Sequence, residues 1–258
     1  MTDLLELREI SLGGRAAPRL DAVSLRLRAG ETVALIGPSG AGKSSLLSVA
    51  NGCLTPDAGT VRWRGTPVQE LSRRQRRRIG TLWQELHLVE ELTVAQNVNI
   101  GALGHRSLGW AVVNLLLPLE RETCRRCILR AGLPADLLDR RVTSLSGGQR
   151  QRVALARLLR QQPSLVLADE PLSSLDPALV DDVLKTLLNR VEDPGGAPHP
   201  STAVICLHRP DLLHRFDRVI AMKQGRVHFD ARPGSVSEDQ LNALYCLSSR
   251  HAMNEDGE

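Results

Sequence analysis

The sequence predicts an α/β fold, in which a parallel sheet is flanked by helices. Three short apolar runs have the pattern of buried strands: Thr32–Ile36, Leu165–Ala168 and 202–207. Helical patterns separate these runs along the chain, and this alternation is typical of parallel sheets. The chain has 258 residues, 42% of them hydrophobic, which is enough for one large domain or two small ones with a sizeable core.

The elements follow in order along the chain. The run Thr32–Ile36 leads through a glycine-rich turn into a helical pattern at 44–52. Residues 86–162 carry no strand pattern, and we expect a helical lobe inserted into the α/β core. Its predicted helices are 93–100, 120–131 and 149–159. The later predicted elements are a helix at 177–191, a surface loop at 192–200, two strands around the turn 223–226 and a helix at 237–244.

These elements are expected to form a single domain over residues 1–250. Its α/β core is predicted at about 1–85 and 162–250, and its helical lobe at about 86–161. The polar residues 251–258 are predicted to be a disordered tail.

Charge and hydropathy restrict the class of protein. The net charge of +4 is mild for this length and does not by itself indicate a nucleic-acid partner. The longest apolar stretch, 108–119, is interrupted by Asn114 and is too short to span a bilayer. The first ten residues include Asp3, Glu6 and Glu9 and show no secretory pattern, so we expect a cytoplasmic protein.

Five scattered cysteines do not form a disulfide framework in such a protein. Cys124 and Cys127 have C-x-x-C spacing, but no second Cys or His pair stands at zinc spacing. We interpret them as two residues of a helix.

The strongest chemical motif is a glycine-rich turn between the first predicted strand and its helix. It matches the pattern G-x-x-x-x-G-K-[ST], and its residues are Gly37, Pro38, Ser39, Gly40, Ala41, Gly42, Lys43 and Ser44. Small residues let backbone N–H groups approach phosphate oxygens, and the helix N-terminus attracts negative charge. In this pattern Lys43 reaches the β- and γ-phosphates, and the Ser44 hydroxyl binds Mg²⁺.

Two adjacent carboxylates, Asp169 and Glu170, directly follow the strand Leu165–Ala168. Asp169 is predicted to hold Mg²⁺. Glu170 is predicted to take a proton from the attacking water as the general base.

A second glycine-rich turn, formed by Ser146, Gly147, Gly148 and Gln149, runs directly into a predicted helix. Its backbone amides and the helix dipole are suited to a γ-phosphate. The chain therefore has two predicted phosphate-binding helix N-termini.

Together these motifs resemble the ATP-binding subunits of ABC transporters over about residues 4–246. The resemblance implies a P-loop ATPase core with a parallel sheet, an N-terminal antiparallel β part and an inserted helical lobe. It also implies ATP and Mg²⁺ as cofactors, and a head-to-tail dimer with a second copy of the chain. In such a dimer the 146–149 turn of one copy closes over nucleotide held by the other.

The same resemblance assigns further residues. Gln84 corresponds to the glutamine that touches Mg²⁺ and the attacking water, and His208 to the switch histidine that contacts the γ-phosphate. Asp176 corresponds to the aspartate that crosses the dimer interface. Ser45 stands where the family more often has threonine, and the hydroxyl role is expected to persist.

Three stretches, 97–117, 141–149 and 241–245, resemble ATPases of phosphonate or phosphite importers. This resemblance implies two transmembrane permease subunits, an indirect link to a solute-binding protein, no nucleic acid, and a peripheral place on the cytoplasmic face of the bacterial inner membrane. Two alternatives stay open: a soluble ABC ATPase that acts on nucleic acid or ribosomes, and a transporter motor with another cargo.

Three features have no settled role. The family usually offers an aromatic ring for adenine before the first core strand, but no aromatic residue precedes Trp63. We expect Leu12 and the Gly13–Gly14 backbone, or nothing aromatic, to flank the base. The basic run 73–78 has the pattern of a solvated short helix near the membrane side. The apolar stretch 110–119 is either a docking site or buried in the lobe.

Overall fold

The computed structural model describes residues 3–15, 17–173, 177–188 and 202–245. The chain forms two compact units: a terminal unit, Met1–Glu70 with Val204–Glu258, and a middle unit, Leu71–Ala203. The strands and helices in chain order are β1 (Asp3–Leu12), β2 (Leu20–Arg28), β3 (Thr32–Ile36), α1 (Lys43–Ala50), β4 (Ala58–Trp63), β5 (Thr66–Pro67), α2 (Arg73–Arg76), β6 (Ile79–Leu82), α3 (Val94–Ile100), α4 (Leu108–Leu116), α5 (Arg121–Arg130), α6 (Gly147–Gln161), β7 (Leu165–Ala168), α7 (Pro177–Leu187), β8 (Thr202–Cys206), β9 (Arg218–Lys223), β10 (Arg226–Ala231) and α8 (Glu238–Tyr245).

The terminal unit contains two sheets. One has the strand order β2-β1-β4-β5, and its paired strands are antiparallel. In the other, β3 lies between β8 and β9, pairs in parallel with β9, and β10 closes the edge in antiparallel pairing. All five residues of β3 are buried, as expected for a central strand covered on both faces.

The middle unit combines a parallel pair of strands, β6 and β7, with helices. Helix α3 begins at a capping box in which the Thr93 hydroxyl accepts from the Gln96 amide. Gly101, at the end of α3, lies against α6, and a Cβ there would stand 2.1 Å from the Arg157 carbonyl oxygen. The absence of a side chain at Gly101 therefore lets α3 and α6 approach closely.

The predicted α/β class is confirmed, and most predicted elements occur within one or two residues of their expected bounds. Residues 86–162 contain helices and no strand, as expected. The unit boundaries at 70/71 and 203/204 place all of the predicted lobe, 86–161, in the middle unit together with β6, β7 and α7. The predicted loop 192–200 and tail 251–258 lie outside the described residues. No helix in the described part of the chain is long and apolar enough to cross a bilayer.

Two features differ from the sequence expectations or resolve them. Strand β6 was not expected, because its four residues include Gly80 and follow an arginine run. The apolar helix α4 exposes its leucines to solvent, so burial within the lobe is wrong as the interpretation of this stretch.

Candidate functional site

The predicted phosphate loop, residues 37–44, connects β3 to α1 in the terminal unit. Gly37, Gly40 and Gly42 have φ values of 151°, 76° and 99°, where residues with side chains are strained. Helix α1 starts at Lys43 with no side chain bonded to its first-turn amides. Its N–H groups are therefore free of side-chain caps, as a phosphate site at a helix N-terminus requires.

Lys43 is buried, and its ammonium lies within the loop itself. It donates to the carbonyl oxygens of Gly37 at 2.8 Å and Pro38 at 3.0 Å. An ammonium group has three protons, so one remains for a further acceptor such as a phosphate oxygen. The Ser44 and Ser39 side chains are exposed at the same loop.

His208 follows β8, the neighbour of β3 in the same sheet. The Leu207 amide donates to the Leu35 carbonyl at 3.0 Å, which places the next residue, His208, at the level where β3 runs into the phosphate loop. The imidazole is exposed. The terminal unit therefore brings His208 and the phosphate loop to one end of the sheet.

Tyr245, at the end of α8, lies beside Gly37, a proximity that the sequence analysis did not anticipate. Its hydroxyl oxygen is buried. Burial raises the pKa of this phenol, and the Gly37 backbone opposes the rise. Only the position of Tyr245 in a closing helix was visible in the sequence, and nothing in that pattern indicated the loop.

In the middle unit, the parallel pair β6 and β7 brings three predicted residues to one edge. Leu82 is paired with Ala168, and the Asp169 amide donates to the Leu82 carbonyl at 2.8 Å. Gln84 follows two residues after β6, while Asp169 and Glu170 follow β7 directly. The Gln84 side chain is exposed. This edge therefore presents an amide and two carboxylates together.

Asp169 and Glu170 are held in different ways. Asp169 is only 4% exposed, and its Oδ1 is a buried oxygen with no hydrogen-bond partner among the described residues. Glu170 has a left-handed φ of 49°, and its carbonyl accepts from the Ser173 hydroxyl at 3.1 Å.

The second glycine-rich turn forms the N-terminus of α6, which begins two residues before the predicted helix. The Ser146 hydroxyl accepts from the Gln149 amide, and the Gln149 side chain accepts from the Ser146 amide at 3.0 Å. A Cβ placed on Gly147 would meet no atom within 4 Å. The capping box fixes the turn and occupies the Gln149 amide, while the space beside Gly147 remains open to an anion.

These groups fit the cofactors that the motifs imply. Uncapped amides and a buried lysine ammonium suit phosphates, and an unpaired buried carboxylate oxygen suits a hard cation such as Mg²⁺. Asp176 lies outside the described residues. Among the described residues, no group of three His, Cys, Asp or Glu side chains is arranged to hold a metal on its own.

The N-terminal segment corrects one expectation about the base. Leu12 is 6% exposed, within β1, so its side chain is part of the core and cannot flank a ligand. Gly13 and Gly14 are exposed; the Gly13 amide donates to Asp57 at 2.6 Å, and the Gly13 carbonyl accepts from Arg19 at 3.0 Å. That the Gly13–Gly14 backbone, or nothing aromatic, flanks the base remains a prediction.

Cys124 and Cys127 lie on α5, as expected for two helix residues, and both are free thiols. Burial raises the pKa of Cys124 to about 12 and also raises that of Cys127. Neutral thiols of this kind are poor metal ligands and poor nucleophiles.

Comparison with known sequences gives the same assignment as the motifs. A family model described as ABC transporter matches residues 20–173. The chain is 40% identical over 231 residues to the phosphonates import ATP-binding protein PhnC 1 of Pseudomonas syringae pv. syringae (strain B728a), covering 88% of this chain and 85% of that protein. It is 44% identical to PhnC 1 of Pseudomonas aeruginosa (strain PAO1), covering 86% and 83% of the two chains.

Solved structures agree with the fold. A dimeric, post-hydrolysis state of the ATP-binding cassette MJ0796 bound to ADP and Pi has a TM-score of 0.75 and 27% identity, covering 89% of this chain and 98% of that one. CbiO1 of Clostridium perfringens, part of the ABC transporter complex CbiONQ, has a TM-score of 0.71 and 25% identity, covering 98% and 99%. With its phosphate loop, its paired carboxylates and its second glycine-rich turn, this chain belongs to the ABC transporter family.

Proposed function

We propose that this chain is the ATP-binding and ATP-hydrolysing subunit of an import complex that takes up a phosphonate or phosphite. The observation that carries the ATPase assignment is the loop at 37–44, which combines left-handed glycines, uncapped helix amides and the buried Lys43 ammonium. The relatives support the assignment of the cargo, because they are named phosphonates import ATP-binding proteins and this chain matches them over most of their length.

In this proposal each part of the chain has one role. The backbone amides of residues Gly37 to Ser45 hold the triphosphate, and Lys43 donates its third ammonium proton to a phosphate oxygen. Ser44, Gln84 and Asp169 supply oxygen ligands to Mg²⁺, which when bound neutralises charge on the phosphates. The buried Oδ1 of Asp169 supports that assignment, because a cation would satisfy it.

Side chains at the strand ends accept the proton of the attacking water and position the reacting groups. Glu170 accepts a proton from the attacking water as the reaction proceeds, a contribution of about 10² to 10⁴ in rate. Gln84 orients the same water, and His208 contacts the γ-phosphate.

A second copy of the chain completes each site. Ser146, Gly147, Gly148 and Gln149 of one copy close over the γ-phosphate held by the other, and Asp176 crosses between copies. The rigid capping box and the open space at Gly147 support an anion-binding role for this turn. The dimer drives two permease subunits at the cytoplasmic face of the bacterial inner membrane, and a solute-binding protein delivers the cargo.

The test of the motor is Glu170→Gln. We expect this variant to bind Mg²⁺-ATP, to form a long-lived dimer in gel filtration, and to hydrolyse ATP at least a hundredfold more slowly. Glu122→Gln, an exposed position on α5, is the matched control and keeps its turnover. Normal turnover in Glu170→Gln would refute the assignment of the base.

The test of the cargo is separate. The chain is co-expressed with its permease subunits and binding protein, and uptake of a phosphonate, phosphite and sulfate is compared. If the complex hydrolyses ATP but takes up neither the phosphonate nor phosphite, the proposed cargo is refuted. ATPase activity that is stimulated by DNA or RNA in the absence of a membrane complex would favour a soluble ABC ATPase.

A further inference from the structure

Helix α4 presents its hydrophobic side outward. Four large apolar residues, spaced i, i+4, i+7 and i+8, share one face of the helix, and they are exposed: Leu108 at 78%, Val112 at 58%, Leu115 at 56% and Leu116 at 76%. Leu117 continues the same surface. We refer to these five residues as the α4 face. A contiguous exposed apolar surface of this kind marks an interaction site.

The one buried residue of α4, Asn114, is polar. The Asn114 side-chain oxygen accepts from Asn99 at 2.8 Å, and Gln96 donates to the backbone oxygens of Asn114 at 3.1 Å and Leu115 at 2.8 Å. Hydrogen bonds with α3 therefore fix the helix, while its apolar residues contribute little to the lobe core. This is the reverse of an ordinary surface helix, which buries its apolar stripe.

A cluster of arginines adjoins the start of α4. Arg73, on α2, donates to the carbonyl oxygens of Leu103 and of Arg106. A Cβ on Gly104 would stand 2.7 Å from the Cβ of Arg77. These contacts join α2 to the segment that precedes α4. The cluster as a whole consists of Arg73, Arg74, Arg76, Arg77 and Arg78.

The charged side chains around α4 and the arginine cluster are all basic. Residues 71–84 and 101–119 contain no Asp or Glu. The nearest acid after α4, Glu120, is already paired with Arg106 and Arg160. The Arg106 guanidinium lies 5.5 Å from the ring centre of Trp110. Exposed leucines on one face of a short helix, with arginines beside it, are typical of helices that lie in the headgroup region of a membrane.

We propose that the α4 face and the arginine cluster rest together on an anionic phospholipid surface, with α4 lying in the plane of the headgroups. The nine-residue helix is about 14 Å long, which is far too short to span a bilayer. The apolar side chains supply hydrophobic contact, and the arginines supply attraction to anionic headgroups. A protein partner is a poorer fit, because the unbroken basic cluster beside α4 matches a broad negative surface. The biological setting rests on the proposed function at a membrane, but the contact itself does not depend on ATP.

The test is sedimentation of the full chain with vesicles, in the absence of permease and nucleotide. Vesicles of equal parts phosphatidylglycerol and phosphatidylcholine are compared with vesicles of phosphatidylcholine alone. We expect the wild-type chain to bind the anionic vesicles at least tenfold more tightly, and to be released as salt is raised. The double variant Leu108→Ser with Leu116→Ser should lose about tenfold in binding. Arg74→Gln with Arg78→Gln should lose about tenfold on anionic vesicles only.

The matched control is Val89→Ser with Leu129→Ser, two exposed apolar residues outside the α4 face. Circular dichroism and thermal unfolding check that all variants fold. Equal losses in the control and the α4 variant, or wild-type binding that ignores lipid charge, would overturn the proposal. So would α4 variants that keep vesicle binding but no longer co-purify with permease subunits, since that result identifies a protein partner. Vesicle binding by a chain without ATPase activity would refute the proposed function and leave this inference standing.

Discussion

Two glycines of the phosphate loop should respond very differently to the same added methyl group. Gly40 and Gly42 both have left-handed backbones, with φ of 76° and 99°, so alanine costs about 1–2 kcal/mol of strain at either position. Their surroundings differ. A Cβ on Gly40 meets nothing within 4 Å, whereas one on Gly42 stands 2.4 Å from the Arg19 carbonyl oxygen.

The contact at Gly42 adds a second cost. Backbone cannot rotate away as a side chain can, so the segment at Arg19 or the loop itself must move, at about 1–3 kcal/mol. We therefore expect Gly42→Ala to lose about 2–5 kcal/mol in the free energy of unfolding and Gly40→Ala about 1–2 kcal/mol. The larger loss is a substantial share of a typical domain stability of about 5–15 kcal/mol.

The assay is urea unfolding of the full chain, with both variants measured beside Gly234→Ala, where the Cβ also meets open space and φ is not left-handed. Nucleotide binding is measured in parallel with a fluorescent ATP analogue. Equal losses at Gly40 and Gly42 would refute the reasoning, because they would show that the approach of Arg19 to the loop carries no cost.

Three further predictions concern single groups. Burial opposes ionisation of Glu120, but hydrogen bonding to Arg106 and the charge of Arg160 lower its pKa, so Glu120→Gln should cost about 1–3 kcal/mol at pH 7. Because the pKa of Glu120 is lowered in the folded state, its carboxylate stabilises the fold fully at pH values above the pKa of an unperturbed glutamate. The difference in unfolding free energy between wild type and variant should therefore shrink as the pH falls below that value and through the lowered folded-state pKa. Iodoacetamide at pH 8 should label exposed Cys53 and spare Cys124, whose pKa is about 12; mass mapping that finds Cys124 labelled in the native chain would contradict this. Because no aromatic residue precedes Trp63, competition binding should show only a weak preference for ATP over GTP, and a strong preference would count against this expectation.

The sequence was most informative where chemistry and periodicity coincide. Strands β3 and β7 were predicted at their observed bounds, and α1 begins one residue before its predicted start, because a buried strand followed by a glycine-rich turn has few alternative conformations. Strand β6 was missed because four residues with a central glycine carry no alternating pattern, and its stability comes from pairing with β7. The prediction that Leu12 flanks the base was wrong, because pairing of β1 with β2 turns that side chain into the core. The sequence around Leu12 does not reveal this pairing.

Helix α4 shows a different limit. Its composition left docking and burial equally open, since an apolar segment in a helical lobe usually packs inward. The outcome depended on Asn114, Asn99 and Gln96, which lie on two helices and bond only after the chain has folded. Three amide side chains therefore hold the helix in an orientation that leaves its leucines exposed.

Ser146 and Gln149 bond reciprocally across the first turn of α6. The longest helix of the described chain thus begins at the very turn that is expected to meet nucleotide. Substitutions at these two positions can lower ATPase activity in two ways, by destabilising the helix or by weakening the contact with nucleotide. Loss of ATPase activity there is not by itself evidence of contact with phosphate. Ser146→Asp separates the two, because aspartate caps a helix well but repels an anion.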